Sequence, residues 1–220
     1  MERNNPLAWL VLAASVIAGV SYVASWNLAG FPEWASTAWK GAGVALLAVY
    51  AGLRARSLDG WLICAVMAFG ALGDVLLETH GLNVGAVAFL VGHIVAIVLY
   101  LRNRRRGLTL ADKLLIAVLV PGTAIAAYLL PADRALGGAA ALYSLGLAIM
   151  AACAWASRFP RILVGLGALM FVVSDLLIFG RAGPLAGAAW VGLAIWGLYY
   201  FGQFLICVGV VGGATRGRRL

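Results

Sequence analysis

Long apolar runs follow one another from residue 7 to residue 211, broken only by short charged or Gly/Pro-containing connections. A helix needs roughly 20 apolar residues to cross about 30 Å of hydrocarbon. Hydrophobic residues make up 64% of the chain and charged residues 11%, whereas soluble domains average about 45–50% apolar and about 25% charged. The mean hydropathy is +1.00. Lipid is therefore the solvent for most of this chain.

Apolar runs bounded by charge, Gly/Pro or polar clusters predict eight spans, at about 7–26, 36–53, 61–79, 82–101, 113–130, 135–156, 161–180 and 185–211. Eight spans with short loops use nearly all of the 220 residues. The expectation is an all-α integral membrane protein with eight transmembrane helices, forming a single polytopic membrane domain over 1–220 with no soluble domain attached. The first run is longer than a signal-peptide core and only Arg3 precedes it, so it reads as a span.

The formal charge of +8 comes from basic clusters between spans, such as "LRNRRRG" at 101–107 and "TRGRRL" at the end. Nucleic-acid binders carry such charge on a soluble face; here it falls on alternate connections, as the positive-inside rule requires. Arg54, Arg56, Arg102, Arg104, Arg105, Arg106, Lys113, Arg158, Arg161 and the Arg216, Arg218 and Arg219 tail share one side. Arg3 joins them if the span count is even, and Lys40, Arg134 and Arg181 take the other side. Both termini are thereby expected in the cytoplasm, no nucleic-acid partner is expected, and a bacterial inner membrane is the natural location. Cys64, Cys153 and Cys207 lie in apolar segments without metal-ligand spacing, so neither a disulfide framework nor a metal site is expected.

Two stretches break the apolar pattern in the same way. "GALGDVLLETHG" carries Asp74, Glu78 and His80, and "MFVVSDLLIFGRAG" carries Asp175. The aspartates occupy the third span of each half, which suggests two parallel four-span repeats at about 7–101 and 113–211. Both lie about five residues before the outer end of their span, roughly 7–8 Å inside the boundary. An acidic side chain in mid-helix costs about 2.5–3.5 kcal/mol on insertion scales and normally marks a site. The plain structural reading makes them internal hydrogen bonders, with Lys40 as an ionic partner. The functional reading makes them an acid and a base, because two carboxylates facing one cavity share a proton.

Other polar residues stand in both readings. Lys40 near the outer end of span two either snorkels to the interface or serves as a counter-ion or phosphate clamp. Glu78 shares a helix face with Asp74, or it is an exposed interface residue. His93 lies mid-span in "FLVGHIVAIVLY", either hydrogen-bonded in the bundle or part of a site, and His80 belongs to a tight, solvated loop. Tyr143, Ser144, Tyr199, Tyr200 and Gln203 supply hydrogen-bonding groups in spans six and eight. Interface anchoring accounts for tyrosines near helix ends, but not for a glutamine inside span eight.

Together these residues resemble the YhhN-type family of membrane lysoplasmalogenases. The resemblance rests on Lys40, "GALGDVLL" with Asp74, "AFLVGH" with His93, and "YSLGLAIM" with Tyr143 and Met150. It continues through "MFVVSDLL" with Ser174 and Asp175 to "YYFGQFLI" with Tyr199, Tyr200 and Gln203. Ala96 stands where an aromatic is expected after "GH", and Gly41 follows Lys40 where proline is common. The resemblance implies hydrolysis of the vinyl ether bond of a lysophospholipid without a cofactor or metal. Asp74 and Asp175 would be the acid/base pair, and Lys40 would hold the phosphate or tune the pair. Glu78, His93, Tyr143, Ser174, Tyr199, Tyr200 and Gln203 would support them. A small proton-coupled transporter is the rival class, since intramembrane carboxylates in repeated halves also suit a carrier. A purely structural membrane protein leaves the repeated aspartates unexplained.

Overall fold

The computed structural model describes residues 5–216. Arg3, Arg218 and Arg219, expected on the cytoplasmic side, lie outside the described residues. Eight α-helices follow in order: α1 Pro6–Ser21, extended by a 3₁₀ turn Tyr22–Asn27; α2 Glu33–Arg54; α3 Leu58–His80; α4 Leu82–Arg102; α5 Leu110–Leu129; α6 Arg134–Ala156; α7 Leu166–Arg181, entered through a π-turn at Arg161–Gly165; and α8 Trp190–Arg216. Among the described residues there is no strand, only an isolated antiparallel bridge between Arg104 and Ser157.

Seven of these helices are long and apolar enough to cross a membrane. The expected eighth, α2, has 22 residues, but Glu33, Lys40 and Arg54 lower its hydropathy, and composition alone does not qualify it. The last expected span also starts late. Residues 185–188 belong to a turn after α7 that includes Gly187 at φ +78°, and α8 begins at Trp190. His80, expected in a loop, is the exposed last residue of α3, and Gly81 at φ +85° makes the turn into α4. That left-handed conformation suits glycine, which has no Cβ to clash.

Helix starts follow local chemistry. Thr109 and Asp112 form a reciprocal capping box at α5, and Ser57 and Asp133 cap α3 and α6 with their side chains. Outward faces are apolar: Leu142 is 72% exposed and Ile162 80%. In water such surfaces would aggregate, while in lipid they cost nothing to expose.

The chain divides into two compact units, one comprising the chain up to Val95 and from Val210 onward, the other Ala96–Gly209. In the first, α1, α2 and α3 pack in sequence order along their whole lengths. At one end of the α1/α2 pair, Trp39 Nε1 donates to Ser21 Oγ at 3.1 Å and Ser25 and Ser36 share a hydrogen bond. In the middle, buried Ser15 donates to the Gly43 carbonyl at 2.6 Å. At the other end Trp9 meets Tyr50, and the Arg54 guanidinium lies over Trp9. The helices are therefore antiparallel from end to end. In the second unit α6 packs on α5 and α7, with Ala127, Ala140 and Phe179 buried and Leu130, Tyr143 and Leu176 against them.

Candidate functional site

In the first unit the polar residues form a ladder along α3. Its buried stripe runs Ile63, Val66, Met67, Gly70, Ala71, Asp74, the three-and-four spacing of one helix face. Asp74 completes that stripe and is 2% exposed. One turn toward the helix end, Glu78 Oε1 accepts from Lys40 Nζ at 2.5 Å. Lys40, expected as a counter-ion to the aspartates, pairs with Glu78 across the α2/α3 seam. The residue after Lys40 shows why the seam is tight. A Cβ at Gly41 would come within 2.8 Å of Val75 Cγ2.

His93 is buried in α4. Phe89 packs flat against Gly73, and Gly92 lies against Phe69, so α3 and α4 run antiparallel. That register sets His93 about one and a half turns deeper than the level of Asp74. Among the described residues no three His, Cys, Asp or Glu side chains gather as a metal site.

The second unit builds its site from α6, α7 and α8. Asp175 belongs to the buried stripe Ala168, Phe171, Val172, Asp175, Phe179 of α7. The phenol of Tyr143 on α6 donates to Asp175 Oδ2 at 2.7 Å, and its ring meets Phe179 edge-on. Tyr143 lies far from either end of α6, so it is no interface anchor. Ser174 is buried, and its hydroxyl donates to the Ile195 carbonyl of α8 at 3.0 Å.

Trp196, Tyr199, Tyr200 and Gln203 form a buried stripe on α8. Tyr199 packs edge-on against Phe171, and Trp196 stacks on Tyr200. Tyr199 and Tyr200 are therefore core aromatics. The α7/α8 register is read from two contacts, Ser174 on Ile195 and the backbone approach of Gly167 to Gly202. Gln203 is thus about two and a half turns, roughly 13 Å, along α8 from the level of Asp175. The structure does not bring it to that carboxylate. Gln203 Oε1 and Ser144 Oγ are both buried and make no hydrogen bond with any described residue.

A sequence model of one family spans residues 35–210, which takes in every candidate residue from Lys40 to Gln203. The chain belongs to the YhhN family. No curated protein and no solved structure matches it. The matched residues take in α3 to α7 whole and most of α2 and α8.

One polar centre of this YhhN chain escaped the sequence reading. Buried Asp112 accepts from Arg161 Nη2 at 2.6 Å and from Trp155 Nε1 at 3.0 Å, and Arg161 lies over the Trp155 ring. The cluster ties the start of α5 to the junction of α6 and α7. Its only local signature was the Thr-x-x-Asp capping box at 109–112; its partners are 43 and 49 residues away.

Proposed function

We propose that this YhhN protein is a membrane hydrolase of the lysoplasmalogenase type. It would cleave the vinyl ether bond of a lysophospholipid to a fatty aldehyde and a glycerophospho-ethanolamine or -choline. The observation that carries this reading is the buried carboxyl of Asp175 with the Tyr143 phenol on one oxygen. A carboxyl group inside a membrane helix is expensive, and a hydrogen bond that orients it suits a proton-transfer role.

The chemistry needs one acid and one base. Protonation of the vinyl β carbon gives an oxocarbenium ion at the carbon bearing the ether oxygen. Water adds there and gives up a proton to a carboxylate, leaving a hemiacetal. Breaking the bond to the glycerol oxygen then releases aldehyde, and the glycerol oxygen takes a proton. A positioned acid or base contributes about 10²–10⁴-fold, and a carboxylate also stabilises the cationic intermediate. We assign the two roles to Asp74 and Asp175. Tyr143 orients Asp175, and Lys40 with Glu78 lies one turn nearer the helix end than Asp74, where a phospholipid head group belongs.

The same proposal includes eight spans. At 1.5 Å per residue α2 is about 33 Å long, matching the hydrocarbon thickness. It packs antiparallel to α1 along its whole length, so it spans wherever α1 does. An even count keeps the basic connections together and puts both termini in the cytoplasm of a bacterial inner membrane.

The test is aldehyde release from lyso-plasmenylethanolamine by purified protein in detergent, with a saturated-ether lysolipid as control. Wild-type protein should release aldehyde, and Asp74→Asn and Asp175→Asn should not. No aldehyde from folded wild-type protein would overturn the reaction; full activity in both variants would overturn the residue assignment.

A further inference from the structure

The arginines of the α4/α5 and α6/α7 connections do more than set orientation. A topology signal requires cations in number, with no fixed arrangement. Here two connections are knitted together. Arg104 and Ser157 form the antiparallel bridge, Arg105 N donates to the Ala156 carbonyl at 3.0 Å, and Arg158 N donates to the Asn103 carbonyl at 2.8 Å. Both sides of the bridge are pinned beneath: buried Asn103 donates to the Leu99 carbonyl, and buried Phe159 meets Tyr100 edge-on. Arg104 and Arg106 stand exposed on this frame, with Arg105 half-buried between them.

Charge and polarity point to one class of partner. Residues 102–113 and 156–161 hold seven Lys and Arg side chains and a single carboxylate, Asp112. That carboxylate is buried and engaged by Arg161 and Trp155. The rim therefore keeps a large positive excess. Directly beside it, Leu110 and Ile162 are strongly exposed apolar side chains. A cationic rim over an apolar flank fits a molecule with an anionic head and hydrocarbon tails.

We propose that this rim, residues 102–106 with 157–161, is a binding surface for anionic phospholipid head groups. It is independent of the hydrolytic reading. Each Lys or Arg near an anionic leaflet contributes about 1 kcal/mol, so removing several changes occupancy by more than tenfold.

The experiment uses the full chain in non-ionic detergent and native mass spectrometry, comparing retained phosphatidylglycerol with phosphatidylcholine. Wild-type protein should prefer phosphatidylglycerol by about tenfold or more, and the preference should fall as salt rises. Arg104→Gln/Arg105→Gln/Arg106→Gln should abolish most of it. Arg134→Gln/Arg181→Gln, which removes charge from the opposite ends of α6 and α7, should leave it intact. Equal retention of both lipids by wild type would overturn the proposal, and so would an undiminished preference in the triple variant. Competition by inorganic phosphate at millimolar concentration would mean a general anion site and overturn the lipid assignment. Should the triple variant not fold, the salt dependence of wild type and the single Arg104→Gln variant decide.

Discussion

The phenolic oxygen of Tyr143 on α6 and the Oδ2 of Asp175 on α7 lie 2.7 Å apart, the phenol donating. The bond crosses two helices at a carboxyl group that hydrocarbon would otherwise reject. Removing it tests whether Tyr143 orients or merely packs. Tyr143→Phe keeps the ring contact with Phe179 and leaves one carboxyl oxygen without its donor. We expect a stability loss of about 1–3 kcal/mol, read as a lower melting temperature in detergent. Aldehyde release should fall in kcat with KM little changed if the phenol acts through the carboxyl that it hydrogen-bonds.

Asp74→Asn and Asp175→Asn should each lower kcat by about 10²–10⁴-fold while the protein stays folded. Asparagine preserves shape and cannot exchange a proton at neutral pH. A stopped assay for aldehyde, with circular dichroism on the same samples, checks both halves of this expectation.

Lys40 and Glu78 make an ion pair at 2.5 Å with side chains 14% and 40% exposed. So accessible a pair is screened, and its coupling in a double-mutant cycle of Lys40→Met and Glu78→Gln should be below about 1 kcal/mol. Any large effect of Lys40→Met should therefore appear in KM for the phospholipid, and not in thermal stability.

Gly202 on α8 meets α7 so closely that a Cβ there would lie 2.8 Å from the Gly167 carbonyl oxygen. Backbone on one side leaves no side chain to yield. Gly202→Val should destabilise by about 1–3 kcal/mol through overpacking. Gly197, with open space around its would-be Cβ, is the control: Gly197→Ala should be neutral or slightly stabilising in the same melting experiment.

Asp112→Ala removes the acceptor shared by Arg161, Trp155 and the α5 capping box. Thermal stability in detergent should drop by several degrees, with Asp112→Asn in between because its amide oxygen still accepts from Trp155. Aldehyde release measured well below the melting temperature should be unchanged, since this cluster lies at the opposite end of α7 from Asp175.

The extents of the middle helices, and the depth of the two aspartates within theirs, were determined by the sequence alone, whereas α8 begins five residues later than its apolar run. Asp74 and Asp175 each stand six residues before the end of their helix, as the matching apolar stretches indicated. Hydropathy and turn chemistry are local properties, legible without knowing any neighbour. The YhhN resemblance was legible too, because it rests on ordered short motifs. Partner choice was decided only by the tertiary structure. Lys40 meets Glu78, Ser174 donates to the Ile195 carbonyl, and Gln203 lies about two and a half turns from the level of Asp175. Each outcome depends on how far a helix is rotated about its axis and slid along its neighbour. In lipid that is set by close approach at small residues such as Gly41, Gly167 and Gly202. Where every face of a helix is apolar, its own hydropathy carries almost no record of the rotation; the packing supplies it.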